Sequence, residues 1–128
     1  MRFAYFTGAR RGEIASLNED NIKYQYVAGK EGKRPLKLNL QARQLLKEND
    51  MLWDYAPGYI TQTFKKNLRR LKIENGRFHD LRRTFGLNLI KQGMPIYEVS
   101  KLLGHASVKT TEKHYAPLLV TDIKDFIL

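Results

Sequence analysis

The spacing of apolar residues predicts a mainly helical chain. Apolar residues recur every three or four positions through most of the sequence, which is the period of an amphipathic α-helix. Several of these segments end in glycine, which is common just beyond a helix C-terminus. Ser107 is predicted to be the N-cap of the helix that leads to Tyr115. The pattern predicts helices over residues 1–6, 10–17 and 41–49, and further helices that begin at residues 59, 79, 95 and 107.

Between residues 22 and 40 the apolar period changes to two, which predicts a β-hairpin. Apolar and polar residues alternate on both sides of a glycine- and lysine-rich turn at Gly29–Lys33. The apolar positions are Ile22, Tyr24 and Tyr26 before the turn, and Leu36, Leu38 and Leu40 after it. The predicted fold class is therefore mainly α with a small antiparallel β-hairpin or sheet.

Prolines predict where the regular elements break. Residues 51–58 are predicted to be irregular with a turn at Pro57–Gly58, and Pro117 is predicted to end the last helix. The segment Val120–Leu128 then forms an amphipathic tail, which needs a groove on its own body or on a neighbouring copy.

The net charge favours nucleic acid as the partner. The chain has 23 Lys and Arg residues against 13 Asp and Glu, a formal charge of +10, although ribosomal and other basic soluble proteins share this balance. It has no cysteine, which excludes disulfides and thiolate metal sites. No apolar run approaches the roughly 18 residues of a membrane span, and no secretory signal is recognisable. We therefore expect a cytoplasmic, nucleoid-associated protein with no membrane partner.

The segment His79–Tyr115 carries the clearest candidate chemistry. His79 and Arg82 lie three residues apart on a predicted helix and should share one face, and His105 and Tyr115 follow them. This set contains neither the carboxylate nor the thiol that usually accompanies histidine in a metal site, so it does not suggest metal chemistry. The set suits a phosphodiester, because arginine binds its oxygens, histidine donates hydrogen bonds and tyrosine can act as a nucleophile. Arg10 is the first candidate for the rest of the site.

These residues also have structural interpretations. Arg10 and Glu13 can form an ordinary surface ion pair, which contributes little stability. Considered without its neighbours, His79 can be a hydrogen-bonded histidine at the start of a helix with only a structural role. The basic hairpin turn and the basic side of the helix that begins at residue 59 can both be solvated surfaces.

Three motifs in a fixed order carry a family resemblance. They are Thr7–Glu13 (TGARRGE) followed by Leu17 and Asp20, then His79–Phe85 (HDLRRTF), then Leu103–His105 (LGH) leading to Tyr115. Around a lysine-tipped hairpin, they resemble the first arginine box, the H-x-x-R box and the closing histidine and nucleophile of the tyrosine recombinase (phage integrase) family. The resemblance extends from residue 7 to residue 117.

The resemblance implies a DNA-cleaving site without metal, nucleotide or other cofactor. Two arginines would clamp the scissile phosphate, two histidines would hydrogen-bond to it, a lysine would protonate the leaving 5′ oxygen, and a tyrosine would form a 3′-phosphotyrosine. The implied catalytic residues are Arg10, Lys30, His79, Arg82, His105 and Tyr115, with Lys33 as the rival to Lys30. Glu13 and Asp20 would support Arg10 or the local fold. The implied DNA contacts are Lys33, Arg34, Lys65, Lys66, Arg69, Arg70, Arg83 and Lys109.

The resemblance also bears on domains and assembly. Family members carry an N-terminal core-binding domain, so residues 1–128 are interpreted as a catalytic domain truncated at its N-terminus, with that domain absent. We expect a homotetramer on double-stranded DNA, as in a phage or mobile-element recombinase, and a monomer in isolation. The alternatives are a non-catalytic helical DNA-binding module, a type IB topoisomerase-like enzyme that cleaves without strand exchange, and an inactive remnant of a mobile element.

Overall fold

The computed structural model describes residues 1–49, 53, 55–122 and 124–128, with the backbone alone for residues 118–122. In these ranges the chain is mainly helical with one two-stranded antiparallel sheet, as predicted. None of the described helices is both long and apolar enough to cross a membrane. The elements are α1 (Arg2–Thr7), α2 (Arg11–Ala15), α3 (Glu19–Tyr24), β1 (Tyr26–Gly29), β2 (Gly32–Pro35), α4 (Leu40–Glu48), α5 (Pro57–Arg70), α6 (His79–Lys91), α7 (Ile96–Leu103) and α8 (Val108–Asp122).

The corner between α1 and α2 determines the position of Arg10. Helix α1 ends at Gly8, whose left-handed backbone (φ 70°) is a conformation that glycine adopts without strain. Arg10 is the N-cap of α2, and its backbone N–H donates to Glu13 Oε1 at 2.8 Å. Ile14 and Leu17 are buried, as the helical period predicts. The start of α2 therefore holds Arg10 beside a buried carboxylate.

The hairpin is shorter than predicted. Residues 19–24 form α3 instead of a strand, because Asn18 and Asn21 cap its start reciprocally, each side-chain oxygen accepting from the other's backbone N–H. This cap outweighs the period-two alternation of Ile22 and Tyr24. Strand pairing runs only from Tyr26–Pro35 to Gly29–Gly32, which leaves a two-residue turn. Leu36 and Leu38 are buried on an irregular segment, whereas Leu40 is exposed at the start of α4.

The core consists of two clusters that α6 connects. The larger cluster joins α1, α2, α4 and α5 to the hairpin, and its members include Phe3, Ile14, Val27, Leu36, Leu45, Phe64 and Phe78. The second cluster lies among α6, α7 and α8 and contains Val99, Leu103 and Tyr115. Leu81 of α6 packs on the first cluster and Phe85 on the second. Arg82 therefore lies at the junction of the two clusters.

Two prolines lie within helices where the sequence predicted breaks. Pro57 is at the start of α5, where a missing N–H has no helical acceptor to lose. Pro117 lies inside α8, which extends to Asp122, so the prediction that Pro117 ends this helix was wrong. Residues 50–52 and 54 of the predicted irregular segment lie outside the described residues. Of the predicted tail, residues 124–128 are irregular and exposed, whereas residue 123 and the side chains of residues 120–122 lie outside the described part.

Candidate active site

Arg82 lies where two helices end. Its guanidinium donates to the Gly8 carbonyl at 2.7 Å and to the Leu103 carbonyl, at the C-termini of α1 and α7. Arg82 is only 3% exposed, and the partial negative charge at helix C-termini compensates for its burial. Burial, followed by the charges of Arg10 and Arg34, lowers the pKa of Arg82 to about 10. Arg82 is therefore a fixed cation at neutral pH.

Glu13 is a buried carboxylate shared by two further arginines. It accepts hydrogen bonds from Arg34 Nε at 2.8 Å and Arg34 Nη2 at 2.9 Å, and Arg10 Nη1 lies 3.7 Å from it. Burial alone raises the pKa of Glu13, but its hydrogen bonds and the two positive charges outweigh burial and lower this pKa. Asp20 is exposed in the first turn of α3 and makes no ion pair with Arg10 among the described residues. Glu13 is thus placed to support Arg10, and Asp20 is placed to support only the local fold.

A cavity of about 530 Å³ opens beside the two candidate phosphate-binding arginines. Positive charge lines it on several sides, and no carboxylate belongs to its described lining. A phosphodiester reaching into it would meet several hydrogen-bond donors at once. The basic and imidazole side chains of the lining are Arg10, Arg11, Lys65, Arg77, His79 and Arg82.

Tyr115 is buried, although the polar residues just before it in the sequence are typical of an exposed segment. It is 4% exposed, and its hydroxyl donates to the Arg83 carbonyl at 3.2 Å. The ring fills the space that Gly86 leaves open on α6, because a Cβ at Gly86 would overlap the Tyr115 hydroxyl. Burial raises the pKa of Tyr115, against the lowering effect of Arg82 and Arg83. The polar residues that precede Tyr115 gave no sign of this packing.

A second cavity, of about 280 Å³, connects Tyr115 with the arginine-lined region. Arg77, His79 and Arg82 line both cavities, so the two adjoin. The structure therefore brings together five of the six predicted catalytic residues around two neighbouring cavities. These five are Arg10, His79, Arg82, His105 and Tyr115.

The two predicted histidines both have lowered pKa values. His79 is the first residue of α6, and burial, followed by the charge of Arg82, lowers its pKa. Burial, followed by Arg82 and His114, lowers the pKa of His105 to about 4. His105 is therefore neutral at pH 7. The ring of His114 lies 6.1 Å from the His105 ring and 6.4 Å from the Tyr115 ring, centroid to centroid.

The hairpin places its two candidate lysines differently. Lys30 is exposed at the first position of the turn, and the carboxylate of the next residue, Glu31, lies 3.9 Å from Arg10 Nη2. Lys33 lies on β2, with its ammonium 5.2 Å from the centre of the Tyr26 ring. Neither lysine lines the two cavities. The turn that carries Lys30 nevertheless reaches Arg10, whereas Lys33 packs against the sheet.

The predicted DNA contacts differ in accessibility. Lys65 lines the larger cavity and Arg83 the smaller one. The side chain of Arg34 is only 11% exposed and is bound to Glu13, so it is not free to contact DNA. The exposed members of the set are Lys33, Lys65, Lys66, Arg69, Arg70, Arg83 and Lys109.

Sequence reasoning missed two cavity residues, Arg11 and Arg77. Arg11 Nη1 donates to Thr61 Oγ1 at 2.6 Å, which connects α2 to α5 across the cavity. Arg11 follows Arg10 directly, and Arg77 lies two residues before His79. This closeness in sequence to predicted site residues could have identified both.

Comparison with known proteins identifies the family. The sequence model described as "Phage integrase family" matches residues 56–120, about half of the chain. The chain belongs to the phage integrase family. "Tyrosine recombinase XerD" of Listeria monocytogenes is 26% identical over 152 residues, which cover 96% of this chain and 51% of that protein. "Tyrosine recombinase XerC" of Thermodesulfovibrio yellowstonii is 27% identical over 141 residues, which cover 88% of this chain and 47% of that protein.

This phage integrase family chain spans about half the length of the curated relatives it matches. Among solved structures, XerA recombinase superposes with a TM-score of 0.73 at 18% identity, over 98% of this chain and 57% of XerA. XerH site-specific recombinase, solved bound to its difH substrate, gives a TM-score of 0.69 at 20% identity, over 98% of this chain and 46% of XerH. The predicted tyrosine recombinase fold is thereby confirmed.

Proposed function

We propose that this chain is the catalytic domain of a site-specific DNA recombinase that cleaves and rejoins strands through a 3′-phosphotyrosine. The observation that carries the proposal is the convergence of Arg10, His79, Arg82, His105 and Tyr115 on two adjoining cavities. In that convergence a possible nucleophile lies beside fixed positive charge and two neutral imidazoles. These are the groups that transfer of a phosphodiester to a tyrosine requires.

The scissile phosphate would bind in the larger cavity against Arg10 and Arg82. Negative charge accumulates on its oxygens as a fifth ligand approaches phosphorus, and donors already held in place stabilise that charge without reorganising. Arg82 is held by two backbone carbonyls, so it is oriented before DNA arrives. His79 and His105 would contribute neutral hydrogen-bonding groups from the edge of the cavity.

The transfer step would form a bond between Tyr115 Oη and phosphorus while the bond from phosphorus to the 5′ oxygen breaks. The phenol proton would pass to a neutral imidazole, for which His79 is available. Lys30 would protonate the departing 5′ oxygen, since the turn that carries it is next to Arg10. Tyr115 would first have to leave its hydrogen bond to the Arg83 carbonyl. DNA binding would therefore be coupled to a shift of α8 away from Gly86.

Double-stranded DNA is the partner that this charge distribution suits. XerH was solved with its difH substrate and the Tn1549 transposon integrase with circular intermediate DNA, and both share this fold. The exposed basic residues of α5, including Lys66, Arg69 and Arg70, would follow the backbone away from the cavity. We expect log affinity to fall with log salt, with a slope of about −0.9 per neutralised phosphate. Assembly into a homotetramer on DNA is part of the same proposal.

Covalent trapping tests the function. Wild-type protein incubated with a nicked suicide duplex should give a protein–DNA adduct on a denaturing gel, and Tyr115→Phe should give none while it binds the duplex with similar affinity. An adduct that persists in Tyr115→Phe would refute the assigned nucleophile. Binding without any wild-type adduct would support a non-catalytic DNA-binding module. Supercoil relaxation without exchange between two sites would support a topoisomerase-like enzyme.

A further inference from the structure

Thr111 is a fully buried polar residue to which neither the sequence motifs nor the proposed reaction gives a role. It lies on α8, four residues before Tyr115, and has 0% exposure. Its hydroxyl oxygen is 2.6 Å from Nδ1 of His105. Among the described residues this is the one hydrogen bond that the Thr111 side chain makes. Buried polar groups in folded proteins are hydrogen-bonded, and for the Thr111 hydroxyl the partner is the imidazole of His105.

His105 is held from two directions. Its backbone N–H donates to the Ser100 carbonyl at 3.1 Å, at the end of α7. Its ring is held by Thr111 from α8. The ring lines the smaller cavity together with Arg82 and Tyr115, and its Nε2 has no hydrogen-bond partner in the described part of the chain. One nitrogen is thus fixed by the protein, and the other is left for the substrate.

The proton count determines which nitrogen carries hydrogen. His105 is neutral at pH 7, because burial and the charges of Arg82, His114, Arg10 and Arg34 lower its pKa to about 4. A neutral imidazole has one N–H and one lone pair. The Thr111 hydroxyl needs an acceptor for its own proton, and within the described residues Nδ1 is the acceptor within reach. The hydroxyl therefore donates to Nδ1, and the imidazole proton resides on Nε2.

We propose that Thr111 is the positioning residue that fixes His105 as the Nε2–H tautomer, so that His105 acts on the scissile phosphate as a hydrogen-bond donor and not as a base. This inference rests on the proposed function for its substrate, a phosphodiester oxygen. It also separates the two histidines by role. His79, whose ring is not held by Thr111, remains the imidazole available to accept a proton.

The matched variants are Thr111→Val, which removes the hydroxyl at nearly constant shape, and Thr111→Ser, which keeps it. The first measurement is a long-range ¹H–¹⁵N NMR correlation of the His105 ring in the full chain at pH 7. Wild type and Thr111→Ser should show a protonated Nε2 and an unprotonated Nδ1. Thr111→Val should show a mixture of tautomers. A protonated Nδ1 in the wild type would overturn the inference.

The second measurement is single-turnover cleavage of the suicide duplex. Loss of one oriented hydrogen bond should slow Thr111→Val about tenfold, with duplex affinity unchanged, and Thr111→Ser should restore most of the rate. Equal rates for wild type and Thr111→Val would overturn the inference. If Thr111→Val does not fold, the wild-type spectrum and the Thr111→Ser rate decide the matter. A wild type without adduct but with the Nε2–H spectrum would refute the proposed function and still support the pairing of Thr111 with His105.

Discussion

Arg82 and Arg34 are two largely buried arginines with different kinds of partner. Arg82 donates to two backbone carbonyls, which carry no net charge. Arg34 also donates to backbone carbonyls, but it donates twice to the carboxylate of Glu13, which places a negative charge directly against it. Both side chains are fixed, but only the first retains a full positive charge toward the cavity. The partner of a buried arginine, and not its burial, thus indicates whether it can bind an anion.

The same contrast separates residues within the hairpin. Arg34 is turned inward and connects β2 to α2 and, through its bond to the Leu102 carbonyl, to α7. Lys30 is exposed at the turn, beside the residue that reaches Arg10. Arg34 therefore belongs to the architecture of the site, and Lys30 is the residue that we propose for its chemistry. Four experiments test these assignments.

The largest effect is expected for Lys30→Ala. Loss of a general acid should slow cleavage by the order of 10²–10⁴-fold, and a substrate with sulfur at the 5′ bridging position should restore the rate, because sulfur leaves without a proton. Lys33→Ala is the matched control and should show a smaller defect with no selective rescue. Rescue of Lys33→Ala alone would reassign the acid to Lys33. Rescue of neither variant would show that the proton comes from a histidine or water.

Arg82→Lys should give the next largest effect. A lysine cannot reach the Gly8 carbonyl, the Leu103 carbonyl and a phosphate together, so we expect cleavage to fall by about 10²–10³-fold. Arg34→Lys should lower cleavage only in proportion to the folded protein that is lost. Single-turnover rates divided by the folded fraction from circular dichroism make the comparison. Equal normalised losses in the two variants would abolish the distinction between these arginines.

Glu13→Gln should act mainly on stability. It leaves the Arg34 guanidinium without its counter-charge in a nearly buried position, and we expect a loss of about 1–3 kcal/mol in the free energy of unfolding. Arg10→Lys, at the partly exposed side of the same carboxylate, should change this free energy by less than about 0.5 kcal/mol. Urea denaturation of both variants measures the difference. A greater loss for Arg10→Lys would show that Arg10 is the main partner of Glu13.

The smallest effect concerns acid pH. The pKa of Glu13 is lowered in the folded state, so its contribution to stability is present above its ordinary value of 4.5 and is lost as the pH falls through the folded value. The carbonyl partners of Arg82 do not titrate and add no such loss. Below pH 4.5 the stability of wild type should therefore fall more steeply than that of Glu13→Gln. Parallel curves from thermal unfolding would contradict this assignment.

Most of the helices and the fold class were predictable because they depend on local periods and caps. The hairpin boundaries were not, since the reciprocal cap of Asn18 and Asn21 overrides the alternation that Ile22 and Tyr24 display. The start of β1 at Tyr26 was not predictable either, because Gln25 ends α3 with a left-handed backbone (φ 50°) that no apolar period indicates. Local polar chemistry outweighed apolar spacing in this segment.

The membership of the site was easier to predict than its arrangement. Motif spacing selects Arg10, His79 and Arg82, which the structure does bring together. The burial of Tyr115 depends on an open space at Gly86, on another helix, and the inward turn of Arg34 depends on Glu13. Both contacts join residues far apart in the chain, so neither the hydrophobic pattern nor the charge could predict them.

The hydrogen bonds of Arg82 join three distant parts of the chain. One guanidinium on α6 binds a carbonyl at residue 8 and another at residue 103, so it closes loops in both directions along the backbone. The cationic site therefore forms only when both ends of the domain have docked. A nascent or partly unfolded chain has the same residues but no assembled site. On the proposed function, cleavage of DNA would thus be confined to molecules that have finished folding.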